Sequence, residues 1–180
     1  MTDNNNKSLA IPLAIFLVPK ERMPLYIFEN KYKQIIDFCE ETNTELCITY
    51  CTGSELKPFG SKIKILNILR RNNNEDYIVN VECTSNFKIN HYNKSLETIE
   101  YSIIDSESII DNNNLIKLFE RLSGEIVNTK ITISQILKKS SLSSSEKYNV
   151  IAAPNIEHQQ KTLINYFKIL LAQYNNKRQH

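Results

Sequence analysis

The prevailing period of the hydrophobic pattern changes near Asp105, and that change restricts the fold more than any other feature. Up to residue 104 most apolar side chains recur at every second position, and from about Asp105 they recur at every third or fourth. Period two is the signature of strands with one buried face, and period 3.6 that of amphipathic helices. Leu46, Ile48 and Tyr50 share one side of a strand, as do Tyr77, Val79, Val81 and Cys83. From Glu97 to Ile104 the pattern sends Ile99, Tyr101 and Ile103 inward and Thr98, Glu100 and Ser102 outward. Ile63, Ile65, Leu66 and Ile68 alternate too, but the phase slips between Ile65 and Leu66. A slip of that kind marks a β-bulge, common where strands curl.

Other segments complete the first half. Leu13–Val18 is a continuous apolar run, predicting a strand buried on both faces. A charged turn, Pro19–Pro24, leads to a short strand at Leu25–Phe28. Tyr32, Ile35, Ile36 and Cys39 then stand at helical spacing, with Asn30 as the expected N-cap. Asn72–Asp76 reads as a hairpin turn, and Phe87 with Ile89 as a separate shorter strand. The expected fold class is α+β: a small curled mixed sheet of six or seven strands with one early helix, then a helical subdomain.

In the second half, Leu115, Ile116, Leu118, Phe119 and Leu122 form an amphipathic stretch that Gly124 can end. Ile131–Leu137 fits either a strand or a helix. Ser140–Ser145 is a loop, and Ser143 with Glu146 has the spacing of a capping box. Pro154 and Asn155 open the longest helix, with a stripe of Ile156, Gln160, Leu163, Ile164, Phe167, Leu170, Leu171 and Tyr174. The expected organisation is a disordered start over 1–8, a β-rich subdomain over 9–104 and a helical subdomain over 105–180.

Several function classes find no foothold. A net charge of +2 advertises neither nucleic acid nor a membrane surface, and no apolar run nears the ~20 residues that span a bilayer. Gly53, Gly60 and Gly124 include no pair spaced for a phosphate loop. His91, His158 and His180 are isolated from one another, and Cys39, Cys47, Cys51 and Cys83 lack chelate spacing. Without a secretory segment those cysteines are expected as free thiols in a reducing, cytoplasmic setting. The carboxylate pairs Glu40–Glu41, Glu75–Asp76 and Glu97/Glu100 read as solvated surface. Lys62, Lys64, Arg70 and Arg71 cluster on or beside one strand, a patch that RNA would recognise, although no aromatics interleave with it. No catalytic, cofactor-binding or metal residue is expected, and no cofactor.

One segment is more specific. Ile11–Glu41, "IPLAIFLVPKERMPLYIFENKYKQIIDFCEE", resembles the opening of the Lon protease N-terminal domain. In that family a strand beginning I-P-L precedes a proline turn, then L-x-I-F-E-x-x-Y and a helix; here the matching positions are Leu25, Ile27, Phe28, Glu29 and Tyr32. Val81–Ile89, "VECTSNFKI", and Ile151–Ile164, "IAAPNIEHQQKTLI", are similar to a barrel strand and to the start of the final helix of the family. The resemblance implies a PUA-like β-barrel followed by a helical bundle. It also implies a non-catalytic module that recognises unfolded or partner proteins and peptides, in association with a separate ATPase or protease. RNA binding, which other PUA-like barrels perform, is the alternative, and an enzyme with a site between barrel and helices is a third reading. A cereblon-like role would need a zinc-binding cysteine module that this sequence lacks. Glu29 is expected to accept backbone N–H groups at the helix start, and Tyr32 to lie on the buried stripe. The family motif marks no ligand residue, so the binding residues stay unassigned.

Overall fold

The structure, a computed structural model, describes residues 6–70 and 77–177, without the side chains of Arg70 and Lys177. It is α+β, and the chain divides into two compact units, 1–104 and 105–180. The first unit holds strands β1 (Asn6–Leu13), β2 (Arg22–Ile27), β3 (Leu46–Thr52), β4 (Glu55–Arg70), β5 (Tyr77–Asn93) and β6 (Thr98–Ile104), with helix α1 (Asn30–Thr42) between β2 and β3.

All six strands form one sheet in the order β2-β5-β4-β3-β1-β6, and β6 pairs again with β5. The ladder therefore returns on itself through five strands and leaves β2 as an appendage on the first half of β5. Among the described residues only β1 and β3 pair in parallel, which makes the sheet mixed. Its curl has visible devices. Ile65 pairs with Val81 and Asn67 with Asn80, so Leu66 is the extra residue of a bulge, as the slipped alternation predicts. Further register shifts lie at Lys62/Ile63, at Thr49/Cys51 and at Ile89/His91. A bulge bends its strand and raises local twist, which a sheet needs in order to close.

Two apolar clusters lie among the described residues of this unit. One packs α1, through Tyr32, Ile36 and Cys39, against Leu46, Ile48, Ile63, Val79 and Val81. The other gathers Ala10, Cys47, Phe87, Ile99 and Tyr101 on the opposite side of the strands. β3 is buried over Leu46–Tyr50 because it serves both clusters. Gly60 lies between Thr49 and Phe87 in register, and the Phe87 ring covers it.

Five expectations for this unit need correction. Asn6, Lys7 and Ser8 are not disordered but start β1, paired with Tyr101, Glu100 and Ile99; residues 1–5 lie outside the described residues. Leu13–Val18 is not a strand: β1 ends at Leu13, although Phe16, Leu17 and Val18 are buried. Side chains replace the ladder there. The Leu17 N–H donates to Ser61 Oγ at 2.9 Å, while its carbonyl accepts from Ser61 Oγ and from Asn86 Nδ2, each at 2.8 Å. Buried backbone needs partners, but the partners need not be a strand. The N-cap of α1 is Glu29, not Asn30, and its side chain makes no capping bond; its backbone carbonyl takes the N–H groups of Tyr32 and Lys33. Phe87 and Ile89 belong to the single 17-residue β5. Ile103 keeps the alternation but is 50% exposed. The expected turn Asn72–Asp76 lies outside the described residues; Arg70 and Tyr77 face each other across its ends.

The second unit is helical: α2 (Asn113–Ser123), α3 (Ile133–Lys139), α4 (Ser144–Ile151) and α5 (Ile156–Lys177). Gly124 ends α2 in the left-handed region at φ 72°, and its N–H reaches the Glu120 carbonyl. Of Ile131–Leu137, Ile133–Leu137 lies in α3, started by the capping box of Thr132 and Gln135, while Thr132 itself bridges to Ile109. Ser143 and Glu146 make the box foreseen for α4. Leu115, Phe119, Ile136, Leu137, Val150, Leu163 and Phe167 are buried, with the Phe119 and Phe167 rings stacked at 6.3 Å. The stripe of α5 is shorter than its sequence suggests, since Tyr174 is 52% exposed.

Candidate functional site

Strand β2 is the terminal strand of the sheet, and its six residues split cleanly by side. Leu25 and Ile27 are buried in the core, whereas Arg22, Pro24 and Tyr26 point away from it and are exposed. A proline without an N–H is tolerated on such an edge and weakens it as a main-chain template.

The register across β2, β5 and β4 turns those outward residues into three rows. Tyr26 faces Ile78, which faces Leu69. Pro24 faces Asn80, which faces Asn67, and Asn80 Nδ2 donates to Asn67 Oδ1 at 2.7 Å. Arg22 faces Glu82, which faces Lys64. The outer face thus grades from apolar through polar to charged along the strand direction. Tyr26 is 57% and Leu69 53% exposed, and Phe28, just beyond β2, is also exposed. Neighbouring strands stand ~4.8 Å apart, so the apolar row is about 10 Å across.

In the charged row one carboxylate serves two cations. Arg22 Nε meets Glu82 Oε2 at 2.5 Å and Lys64 Nζ meets Oε1 at 2.9 Å. Lys64 foremost, then Arg22, holds the Glu82 carboxyl below its ordinary range. One positive charge is left over on a row whose Arg22 side chain is 69% exposed.

The basic cluster foreseen as an RNA patch is divided by its pairings. Lys62 bridges to Glu45 at 2.6 Å and lies 5.9 Å from the Tyr101 ring centroid, while Lys64 belongs to the Glu82 row. Burial pushes the Glu45 carboxyl up, but hydrogen bonds from Lys62 and Thr84 more than reverse this, so it ends below its usual value. Lys62 mirrors it: burial lowers its ammonium, and Glu45 raises it past the ordinary value. Arg71 lies outside the described residues, and of Arg70 the backbone alone is described.

A second charged cluster ties α1 to the β5–β6 hairpin. Lys31 Nζ reaches Glu97 Oε1 at 3.0 Å, and Tyr92 Oη donates to Glu97 Oε2 at 2.8 Å. Glu29 stands 3.7 Å from the same Lys31 ammonium. Burial, then Glu97, raises the Tyr92 phenol above its usual range. Glu97 itself takes a left-handed backbone, φ 46°, so its carboxylate is held where both donors converge. This is a structural clasp.

A cleft of about 410 Å³ elsewhere in this unit is lined by Lys7, Phe38, Cys39, Glu45, Lys62 and Tyr101, and two of its three charges, Lys62 and Glu45, pair with each other. One of about 290 Å³ in the helical unit is floored by Phe119 and Phe167. Among the described residues no group of three or more His, Cys, Asp or Glu could hold a metal ion, and no helix is long and apolar enough to cross a membrane. His91 is exposed on β5, and exposed His158 bonds Asn155 Oδ1 through Nδ1 at 2.8 Å. Cys39, Cys47 and Cys83 are buried free thiols and Cys51 is half-buried.

Tyr26, Ile78 and Leu69 carry no sequence motif. The usable signal is the alternation Leu25, Tyr26, Ile27, Phe28, in which the aliphatic pair goes in and the aromatic pair stays out.

An α+β domain on a curled mixed sheet, with a helical unit after it, is the class these features define. The chain belongs to the family of the ATP-dependent protease La (LON) substrate-binding domain, whose model matches residues 9–180. Its fold is similar to a crystal structure of a Lon N-terminal domain protein from Xanthomonas campestris, at TM-score 0.63 and 15% identity, covering 93% of this chain and 98% of that one. It is equally similar to the N-terminal domain of Mycobacterium avium complex Lon protease, at TM-score 0.63 and 10% identity, covering 91% and 98%. No curated protein matches the sequence.

Proposed function

We propose that this chain is a non-catalytic binding module that holds extended apolar segments of unfolded or partner proteins, working in the cytoplasm beside a separate ATPase or protease. The observation that supports it is the row of exposed Tyr26, half-buried Ile78 and exposed Leu69, built on the terminal strand of the sheet in a substrate-binding domain family. Apolar side chains aligned across three strands offer contiguous area to an apolar ligand, and such a patch on a surface commonly marks a binding site. RNA binding has weaker support, because Lys62 and Lys64 are each engaged by a carboxylate.

The test is fluorescence anisotropy with labelled peptides from a denatured client. Tyr26→Ser and Leu69→Ser each remove contact area worth about 1–2 kcal/mol, so each weakens binding about five- to thirtyfold. Both positions are exposed, so far-UV circular dichroism stays unchanged. Clean wild-type material with no saturable binding to any denatured client defeats the proposal.

A further inference from the structure

The outer face carries more than an apolar row, and its second element has a fixed spacing from the first. Arg22 and Tyr26 are four residues apart on β2, and Glu82 and Ile78 four apart on β5, with no register shift between β2 and β5. Both strands therefore set the charged row about 13 Å from the apolar row, at ~3.3 Å per residue. An extended ligand running along β2 has the same rise, so its residues i and i+4 face the same side and reach the two rows together.

The charged row also has a sign. Arg22 and Lys64 share the single Glu82 carboxylate, so the row keeps one net positive charge. Arg22 contacts Glu82 through Nε, and its side chain is 69% exposed. A guanidinium has five N–H donors in a planar fork, so its terminal nitrogens can take a second carboxylate. Between the rows, Pro24, Asn80 and Asn67 offer no charge, and the Asn pair is already bonded to itself.

We infer that the preferred ligand is an extended protein segment bearing an aromatic or large aliphatic residue and a carboxylate four positions away, the apolar side chain on Tyr26–Ile78–Leu69 and the carboxylate on Arg22. This rests on the proposed function and adds a substrate class to it. Affinity comes from the apolar row, while the charge sets position along β2. An exposed ion pair contributes little, so the preference is modest.

The experiment uses labelled peptides identical except at one position: Glu, Gln or Lys four residues from a Phe, in both chain directions, and Glu three residues from the Phe, which places it on the opposite side. The full chain is titrated at low salt. The Glu peptide is expected to bind about threefold tighter than the Gln peptide in one of the two directions, with the Lys peptide weakest. The three-residue spacing is expected to lose the gain. Arg22→Gln, and 0.5 M salt, are expected to bring Glu and Gln peptides to equal affinity. Equal binding of Glu, Gln and Lys peptides by the wild-type chain overturns the inference and leaves the apolar reading standing. So does a Glu preference that survives Arg22→Gln. Failure of every peptide to bind removes the proposed function itself, and with it this refinement.

Discussion

Gly60→Ala tests the packing that closes the sheet. A Cβ built on Gly60 stands 2.9 Å from Phe87 Cε2, and closer still to Phe87 Cζ and the Ile48 carbonyl oxygen. Carbon atoms sit at about 3.5–4.0 Å when in favourable contact, so the ring edge must retreat by at least about 0.6 Å. Phe87 is fully buried among Ala10, Cys47, Ile99 and Tyr101, so its retreat disturbs that whole cluster. The Ile48 carbonyl belongs to β3, which pairs with both β1 and β4, so it cannot yield without loosening two ladders. Overpacking of this kind costs about 1–3 kcal/mol, and the backbone clash places the substitution at the upper end. The sign is diagnostic. Gly60 has no positive φ, so without the clash Gly→Ala would stabilise by about 0.4–1 kcal/mol through the unfolded chain. Urea titration gives the total change, and hydrogen exchange of peptides covering β3 and β4 localises it to this unit. Adding Phe87→Leu should recover part of the loss, with a coupling of about 1 kcal/mol or more. A Gly60→Ala chain as stable as wild type, or more so, refutes the reasoning.

Ser61→Ala strips the buried Leu17 N–H of its acceptor, while the Leu17 carbonyl keeps Asn86; the expected loss is about 1–3 kcal/mol by urea titration, and a change under 0.5 counts against the account. Ser143→Ala breaks the capping box of α4 and should cost about 1 kcal/mol, read as faster exchange of the α4 amides. Burial pushes the Cys39, Cys47 and Cys83 thiols up, Cys47 to about 12, whereas unfolded thiols ionise near pH 8.5. The folded chain then binds more protons than the unfolded one above pH 8.5. Stability is fully present below that pH and falls as pH rises toward 12, by at most about 1.4 kcal/mol per unit for each thiol. Urea midpoints at pH 7.5, 9 and 10 should decline and Cys47→Ala should flatten the decline; constant midpoints would contradict it.

How much of this was legible depends on whether the determinant was local. The bulge at Leu66 showed as a broken alternation, and the cap at Ser143 as a four-residue motif, because both are set by neighbours in sequence. Leu13–Val18 reads as a strand by apolarity alone. Its actual state depends on Ser61 and Asn86, 44 and 69 residues away from Leu17. Asn30 is the preferred cap residue on paper, yet the cap falls on Glu29, two residues after β2 ends, without a side-chain bond. Exposure of Ile103 and Tyr174 is likewise decided by what packs nearby, which periodicity does not carry. The outer face was the least legible part. Tyr26, Ile78 and Leu69 become a row through strand pairings that span 52 residues for Tyr26↔Ile78 and 9 for Leu69↔Ile78. The charge pairs that divide the basic cluster depend equally on the placement of Glu45 and Glu82.

The position of β1 bears on how the chain is made. Asn6 pairs with Tyr101, so 95 residues must follow Asn6 before its partner exists. At ~5–20 residues per second on the ribosome, that interval is about 5–20 s. Throughout it β1 has at most the β3 side to rest against, and the sheet stays open at the seam that β6 will fill.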